Sequence, residues 1–318
     1  MDEALLGDDK MELNTIKKPY RQWMEKRDLV RAKVVVESEE GVNQADFYGE
    51  TALMKAAGDG NLAVVRYLVE AGADVNAEDD TRKTALVHAA STGNNFEIIK
   101  FLVQSGAYVN PLDLSGTTAL MCAALNGDLV VVRFLIEVGA NVNLVDFTKR
   151  TALMYAIKND HLEIAQLLLE LGADIEAVNL KLQTPLLQAS QKQNLDTVQF
   201  LVENKADVNA ADHLKMTSLM HAALKNYLNM ARFLVKSGAD IDAVDENGST
   251  VLIRAVEKTD FRIVKLLIES GADVNAVNNV GKTALMKASE GGDLKVARSL
   301  IENGADVNAA DSDKWTSV

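Results

Sequence analysis

Apolar residues along this chain recur in a fixed phrase. In residues 151–183, Thr151 precedes the short run Ala152, Leu153, Met154, Tyr155 and Ala156, and Lys158, Asn159 and Asp160 interrupt it. Leu162, Ile164, Ala165, Leu167, Leu168 and Leu169 then return at spacings of three and four, which lays them along one stripe of an α-helix and leaves Glu163, Gln166 and Glu170 to water. The phrase predicts two short helices. Thr151 is placed to cap the first by accepting an N–H of its opening turn. Gly172 is placed to end the second, since glycine enters the left-handed region without a Cβ clash.

The same phrase returns with its threonine at Thr51, Thr84, Thr118, Thr151, Thr184, Thr217, Thr250, Thr283 and Thr316. Every step is 33 residues except one of 34, where Asn94 and Asn95 lengthen the turn between helices. A fixed period of this size marks a stacked array. Neither helix reaches the ~12–15 residues needed for stability alone, so each must bury its apolar face on its neighbours.

The organisation expected is a polar tail over residues 1–13, a worn capping repeat over 14–50, eight full repeats over 51–315 and the start of a ninth unit at 316–318. The capping role rests on Trp23, which falls where every later unit has alanine and is tolerable only if no earlier unit packs there. The eighth repeat would expose an apolar flank beyond residue 305, so either the natural polypeptide continues past Val318 or that end docks on something.

Thr-Ala/Pro-Leu, paired alanines, a Leu-Leu helix and Gly-Ala-Asp-Val-Asn together resemble ankyrin repeats over about residues 18–318. The resemblance implies a mainly α fold, an ankyrin-repeat α-solenoid of stacked helix-turn-helix units with β-hairpin fingers. The family's histidine after Thr-Pro-Leu is replaced throughout by Met54, Val87, Met121, Met154, Leu187, Met220, Ile253 and Met286, and the Thr-Ala-Leu-Met form resembles bacterial and viral arrays. Lys205 stands where the other repeats have the helix-ending glycine, at a cost of about 1 kcal/mol if the backbone stays left-handed.

Composition narrows the function. A formal charge of -13 favours solubility and lacks the basic footprint that nucleic acid requires. No run of ~18 apolar residues occurs and no apolar leader follows a basic start, so no membrane partner is expected and a cytoplasmic place is, with delivery into a host cell equally compatible. Cys122 is the single cysteine, which rules out an intrachain disulfide.

Catalytic and cofactor chemistry find no constellation. His88 and Cys122 hold the same position in successive repeats, but inner helices stack about 8–10 Å apart and no third residue orients the pair. His213 and His221 converge with no third metal ligand in the sequence. Gly281, Lys282 and Thr283 mimic the end of a phosphate loop, but Ala276 stands where its first glycine would be. The aspartates five before each threonine, such as Asp46, Asp79, Asp113, Asp146, Asp212 and Asp245, are expected to satisfy backbone N–H groups in their own turns rather than to bind calcium. The reading is therefore no enzyme, no cofactor and no metal.

In the ankyrin family a partner lies against the finger tips and the exposed side of the first helices. Carried over, the tips are the four residues before each threonine, and here they hold large apolar and basic residues where solvated turns hold small polar ones. The partner-binding positions expected are Phe47, Tyr48, Arg82, Leu114, Phe147, Lys149, Arg150, Leu180, Lys181, Leu182, Leu214, Lys215 and Met216 on the tips, with Cys122, Tyr155, Gln188 and His221 behind them. The tips are net positive in a negative chain, so the partner expected is a protein segment bearing acidic and apolar residues, bound by a monomer unless the far end self-associates. The alternatives are that finger residues merely pack on neighbouring fingers, that the array is a regulatory or targeting module of a longer polypeptide, or that the basic tips take a small phosphorylated ligand.

Overall fold

The computed structural model describes residues 32, 33, 36, 37, 41–258 and 261–316, with the side chain of Lys258 left out. The expected tail and most of the capping repeat, Trp23 included, lie outside the described residues, as do Ser317 and Val318.

The chain divides into two compact units, Met1–Ala173 and Asp174–Val318. In the first, inner and outer helices alternate: α1 (Ala52–Gly58), α2 (Leu62–Glu70), α3 (Ala85–Thr92), α4 (Phe96–Gln104), α5 (Ala119–Asn126), α6 (Leu129–Glu137), α7 (Ala152–Lys158) and α8 (Leu162–Glu170). The second repeats the pattern with α9 (Pro185–Ser190), α10 (Leu195–Glu203), α11 (Ser218–Leu224), α12 (Leu228–Lys236), α13 (Val251–Lys258), α14 (Phe261–Glu269), α15 (Ala284–Glu290) and α16 (Leu294–Glu302). Within each unit every helix packs on its partner in the repeat and on its counterpart in the next repeat, which makes each unit a solenoid.

The local causes are those in the sequence. Thr51, Thr118 and Thr151 each accept an N–H from the residue three places on, as do Thr184, Thr217 and Thr283 in the second unit. Thr84 does not, and its hydroxyl is buried without a partner among the described residues. The alanines at the first helices are sealed between layers: Ala56, Ala89, Ala123 and Ala156 are all at most 4% exposed. Left-handed glycines end the outer helices at Gly72, Gly106, Gly139 and Gly172, and Lys205 takes the same conformation at φ 73°.

One expectation is corrected. The fingers are not β-hairpins: among the described residues there are no strands, only isolated bridges such as Ala45 to Thr51 and Val244 to Thr250. The cause is the aspartate or asparagine at the base of each finger. In the finger of residues 79–83, one Asp79 carboxylate oxygen accepts the N–H groups of Thr81 and Lys83, while the N–H of Arg82 goes to the Asp79 carbonyl. A side chain thus takes the N–H groups that a strand ladder would have used, and the chain passes directly into the capped helix.

Candidate functional site

Each finger is a turn wound round one side chain, an aspartate in most and an asparagine at Asn179 and Asn278. Asp146 shows the arrangement most fully. One carboxylate oxygen accepts from the N–H of Thr148 and of Arg150 at 2.8 Å each and from the Thr148 hydroxyl at 2.7 Å. The other accepts from the Tyr155 phenol at 2.8 Å and the Arg150 Nε at 2.9 Å. Burial pushes this carboxyl up, but those donors outweigh it and hold Asp146 below the ordinary carboxylate value. Burial and the bond to Asp146 likewise push the Tyr155 phenol up, so it stays a donor.

The same aspartate reaches the inner helix elsewhere. Asp79 meets His88 at 2.9 Å, Asp212 meets His221 at 3.2 Å, Asp46 pairs with Lys55, and Asp245 with Arg254. The aspartates are thus hydrogen-bond hubs, as the sequence suggested, and each also fastens its finger to the helix behind. His221 has its pKa lowered, because burial outweighs the pull of Asp212. Burial raises the pKa of Cys122, whose sulfur accepts from the Ser91 hydroxyl at 3.4 Å.

Tip residues project beyond these hubs. In the first unit Phe47 is 75% exposed and Tyr48 65%, their rings edge-on at 5.3 Å, and Leu114 and Phe147 are also exposed. In the second unit Leu180, Leu182 and Leu214 are exposed. Lys149, Lys181 and Lys215 are exposed and form no ion pair among the described residues, whereas Arg82 pairs with Glu78 and Arg150 with Asp146 while stacking 4.7 Å over the Tyr155 ring.

Two expected surface residues are buried. Tyr155 and Met216 are each only 7% exposed, the first because its phenol reaches back to Asp146. Cys122, Gln188 and His221 are half-buried. Tyr108 and Trp315 are large exposed residues that the expected set omits; Trp315 holds the last tip position before Thr316, so extending the tip register one unit further finds it.

Every tip in the described fingers places the residue two before its threonine in the left-handed region: Gly49, Gly116, Gly248 and Gly281, but also Arg82, Lys149, Leu182, Lys215 and Lys314. At Gly116 the reason for glycine is visible, since a Cβ there would lie 2.9 Å from the Phe147 nitrogen.

A helix pair, a left-handed stop and a side-chain-wound finger at a 33-residue period match the family profile described as "Ankyrin repeats (3 copies)" over residues 25–113, 109–179, 177–245 and 219–311. The chain belongs to the ankyrin-repeat family. Ankyrin-repeat chains of this kind are non-catalytic scaffolds typical of protein–protein interaction. This ankyrin array is similar to the crystal structure of the ankyrin repeat domain of Bcl-3, described as a unique member of the IkappaB protein family, with a TM-score of 0.62 and 32% identity. The match covers 69% of the array and 98% of that domain. No match was found among curated protein sequences. Among the described residues no helix is long and apolar enough to cross a membrane.

Proposed function

We propose that this ankyrin array is an adaptor that holds a segment of another protein against its finger tips and the inner-helix positions behind them, and that the segment carries acidic and apolar side chains. The observation that carries the reading is the choice of residue at the left-handed tip position. Glycine sits there without strain, yet Arg82, Lys149, Leu182 and Lys215 hold it at about 1 kcal/mol apiece, and strain of this kind collects where a side chain has work to do. Around them stand exposed Phe47, Tyr48, Leu114 and Phe147 in one unit and Leu180 and Leu214 in the other, the residue classes that anchor interfaces. Exposed Lys149, Lys181 and Lys215, with no ion pair among the described residues, favour an acidic partner.

Tyr155 and Met216, being buried, lie behind this surface, and Tyr155 holds its finger through Asp146. Cys122, Gln188 and His221 remain its half-buried floor. The narrower likeness to bacterial and viral arrays rests on the Thr-Ala-Leu-Met wording alone and carries no part of the reading.

The test is selection of peptides from a displayed library on the intact chain, followed by affinity measurement on the double variant Phe147→Ala, Leu182→Ala. Selected peptides should combine acidic and apolar residues, and the variant should lose at least about tenfold in affinity. Unchanged affinity in a folded variant would move the interface off the tips.

A further inference from the structure

Three residues from two neighbouring fingers and one helix converge in the first unit. A carboxylate oxygen of Glu50, a carboxylate oxygen of Asp79 and a ring nitrogen of His88 all lie within 4.8 Å of one another. Glu50 ends one tip, Asp79 is the hub of the next finger, and His88 sits on α3. We propose that Glu50, Asp79 and His88 form a binding site for a divalent transition-metal ion of the zinc type.

Each ligand is prepared differently. The Asp79 side chain is 4% exposed, and one of its oxygens is fixed by the Thr81 hydroxyl and the N–H groups of Thr81 and Lys83, which aims the other at His88. Outer hydrogen bonds of this sort orient carboxylate ligands at metal sites. His88 is fixed in position by the helix and at 2.9 Å already faces that oxygen. Glu50 is the adjustable member, 28% exposed and 3.1 Å from Lys55, which also pairs with Asp46. Tetrahedral ligands about 2.0–2.2 Å from zinc stand about 3.4 Å apart, so binding requires the Asp79–His88 pair to part from 2.9 Å and the Glu50 carboxylate to close on it. Lys55 then keeps Asp46.

Charge points the same way. Asp46, Glu50 and Asp79 against Lys55, with the imidazole neutral as a metal ligand must be, leave two negative charges for a divalent ion to offset. One imidazole with two carboxylates suits zinc, cobalt or nickel rather than calcium or magnesium, which prefer oxygen throughout. Three protein ligands leave the remaining positions to water.

The repeat supplies its own control. Four units further on, Asp212 and His221 form the same pair, but Gln183 holds the position of Glu50 and Gln188 that of Lys55. An amide supplies no anionic oxygen, so this second pair lacks what the first has. The site was not legible as a spacing, since its ligands come from positions 29 and 9 apart on separate repeats.

The experiment titrates the metal-stripped full chain with zinc chloride by calorimetry, and with cobalt chloride by visible absorption, checking each variant's fold by circular dichroism. One saturable equivalent is expected. His88→Gln, which can still hydrogen-bond Asp79, and Glu50→Gln should each weaken it by about tenfold or more, whereas His221→Gln should not. Gln183→Glu should add a second equivalent that His221→Gln removes again. Absence of saturable binding in the natural sequence, full affinity in His88→Gln and Glu50→Gln, loss in His221→Gln, or no gain in Gln183→Glu would each overturn the assignment.

Discussion

Residues 143–172 of the first unit and residues 176–205 of the second occupy the same register one repeat apart, yet they are tied together differently. In the first, the Asn143 amide donates to the Gly172 carbonyl at 2.9 Å, Asp146 gathers five donors including Tyr155 and Arg150, and glycine ends the outer helix. In the second, Glu176 accepts the N–H of Asp207 at 2.8 Å but has no N–H to give the carbonyl of residue 205. Asn179 winds its finger through the N–H groups of Lys181 and Gln183 without a charge, and Lys205 is held left-handed. An acceptor role survives replacement of asparagine by a carboxylate, as it also does at Asp242, whereas the donor role does not. A repeat can keep its outline while losing the interactions that fix it.

The largest effect should come from the hub. Asp146→Ala leaves two backbone N–H groups, a phenol and a guanidinium without their acceptor and should destabilise the first unit by about 2–3 kcal/mol in urea unfolding, whereas Asn179→Ala should cost the second unit about 1 kcal/mol. Equal losses would mean that the charge adds nothing. The pH dependence carries the same contrast. Asp146 has a folded pKa below its unfolded one, so its contribution is whole above the unfolded value and is lost as pH falls through the folded value. Asp46 and Asp79 are shifted the same way, burial being outweighed by their donors. The first unit should therefore lose stability below about pH 4, and Asp146→Asn should flatten that limb.

A smaller effect belongs to the helix ends. Lys205→Gly should stabilise the second unit by about 1 kcal/mol, and Gly172→Lys should destabilise the first by a similar amount; a null result in both would mean that the left-handed strain is relieved locally. Smallest is Glu176→Asn, expected to add about 0.5 kcal/mol by giving the residue 205 carbonyl its donor and to slow hydrogen exchange around α10. Combined with Lys205→Gly, it should bring residues 176–205 toward the behaviour of 143–172.

Much of this was readable in the chain. Period, capping threonines, helix-ending glycines and the Asp hubs all follow from short-range chemistry, so Thr151, Gly172 and Asp146 announce themselves. What failed depended on reach across a turn. Hairpin strands were an expectation of the resemblance; the sequence marked the aspartates as acceptors within their own turns, but not that the N–H groups they take are those a strand ladder would need. Register places Tyr155 on the exposed side of α7, but its length lets it bend back on Asp146. The meeting of Glu50 with Asp79 and His88 needs the stacking distance of two repeats, which no single repeat encodes.

The finger of residues 146–150 has no main-chain N–H to spare. Those of Thr148 and Arg150 go to the Asp146 side chain, that of Lys149 to the Asp146 carbonyl, and that of Phe147 to the Ser115 carbonyl of the preceding finger at 2.8 Å. A visiting chain therefore finds no main-chain donor in this finger to pair with. On the proposed reading, exchanging Phe147 or Lys149 would change what is recognised while leaving the N–H bonds of the finger in place, so such an array would acquire a new client by a handful of codon changes.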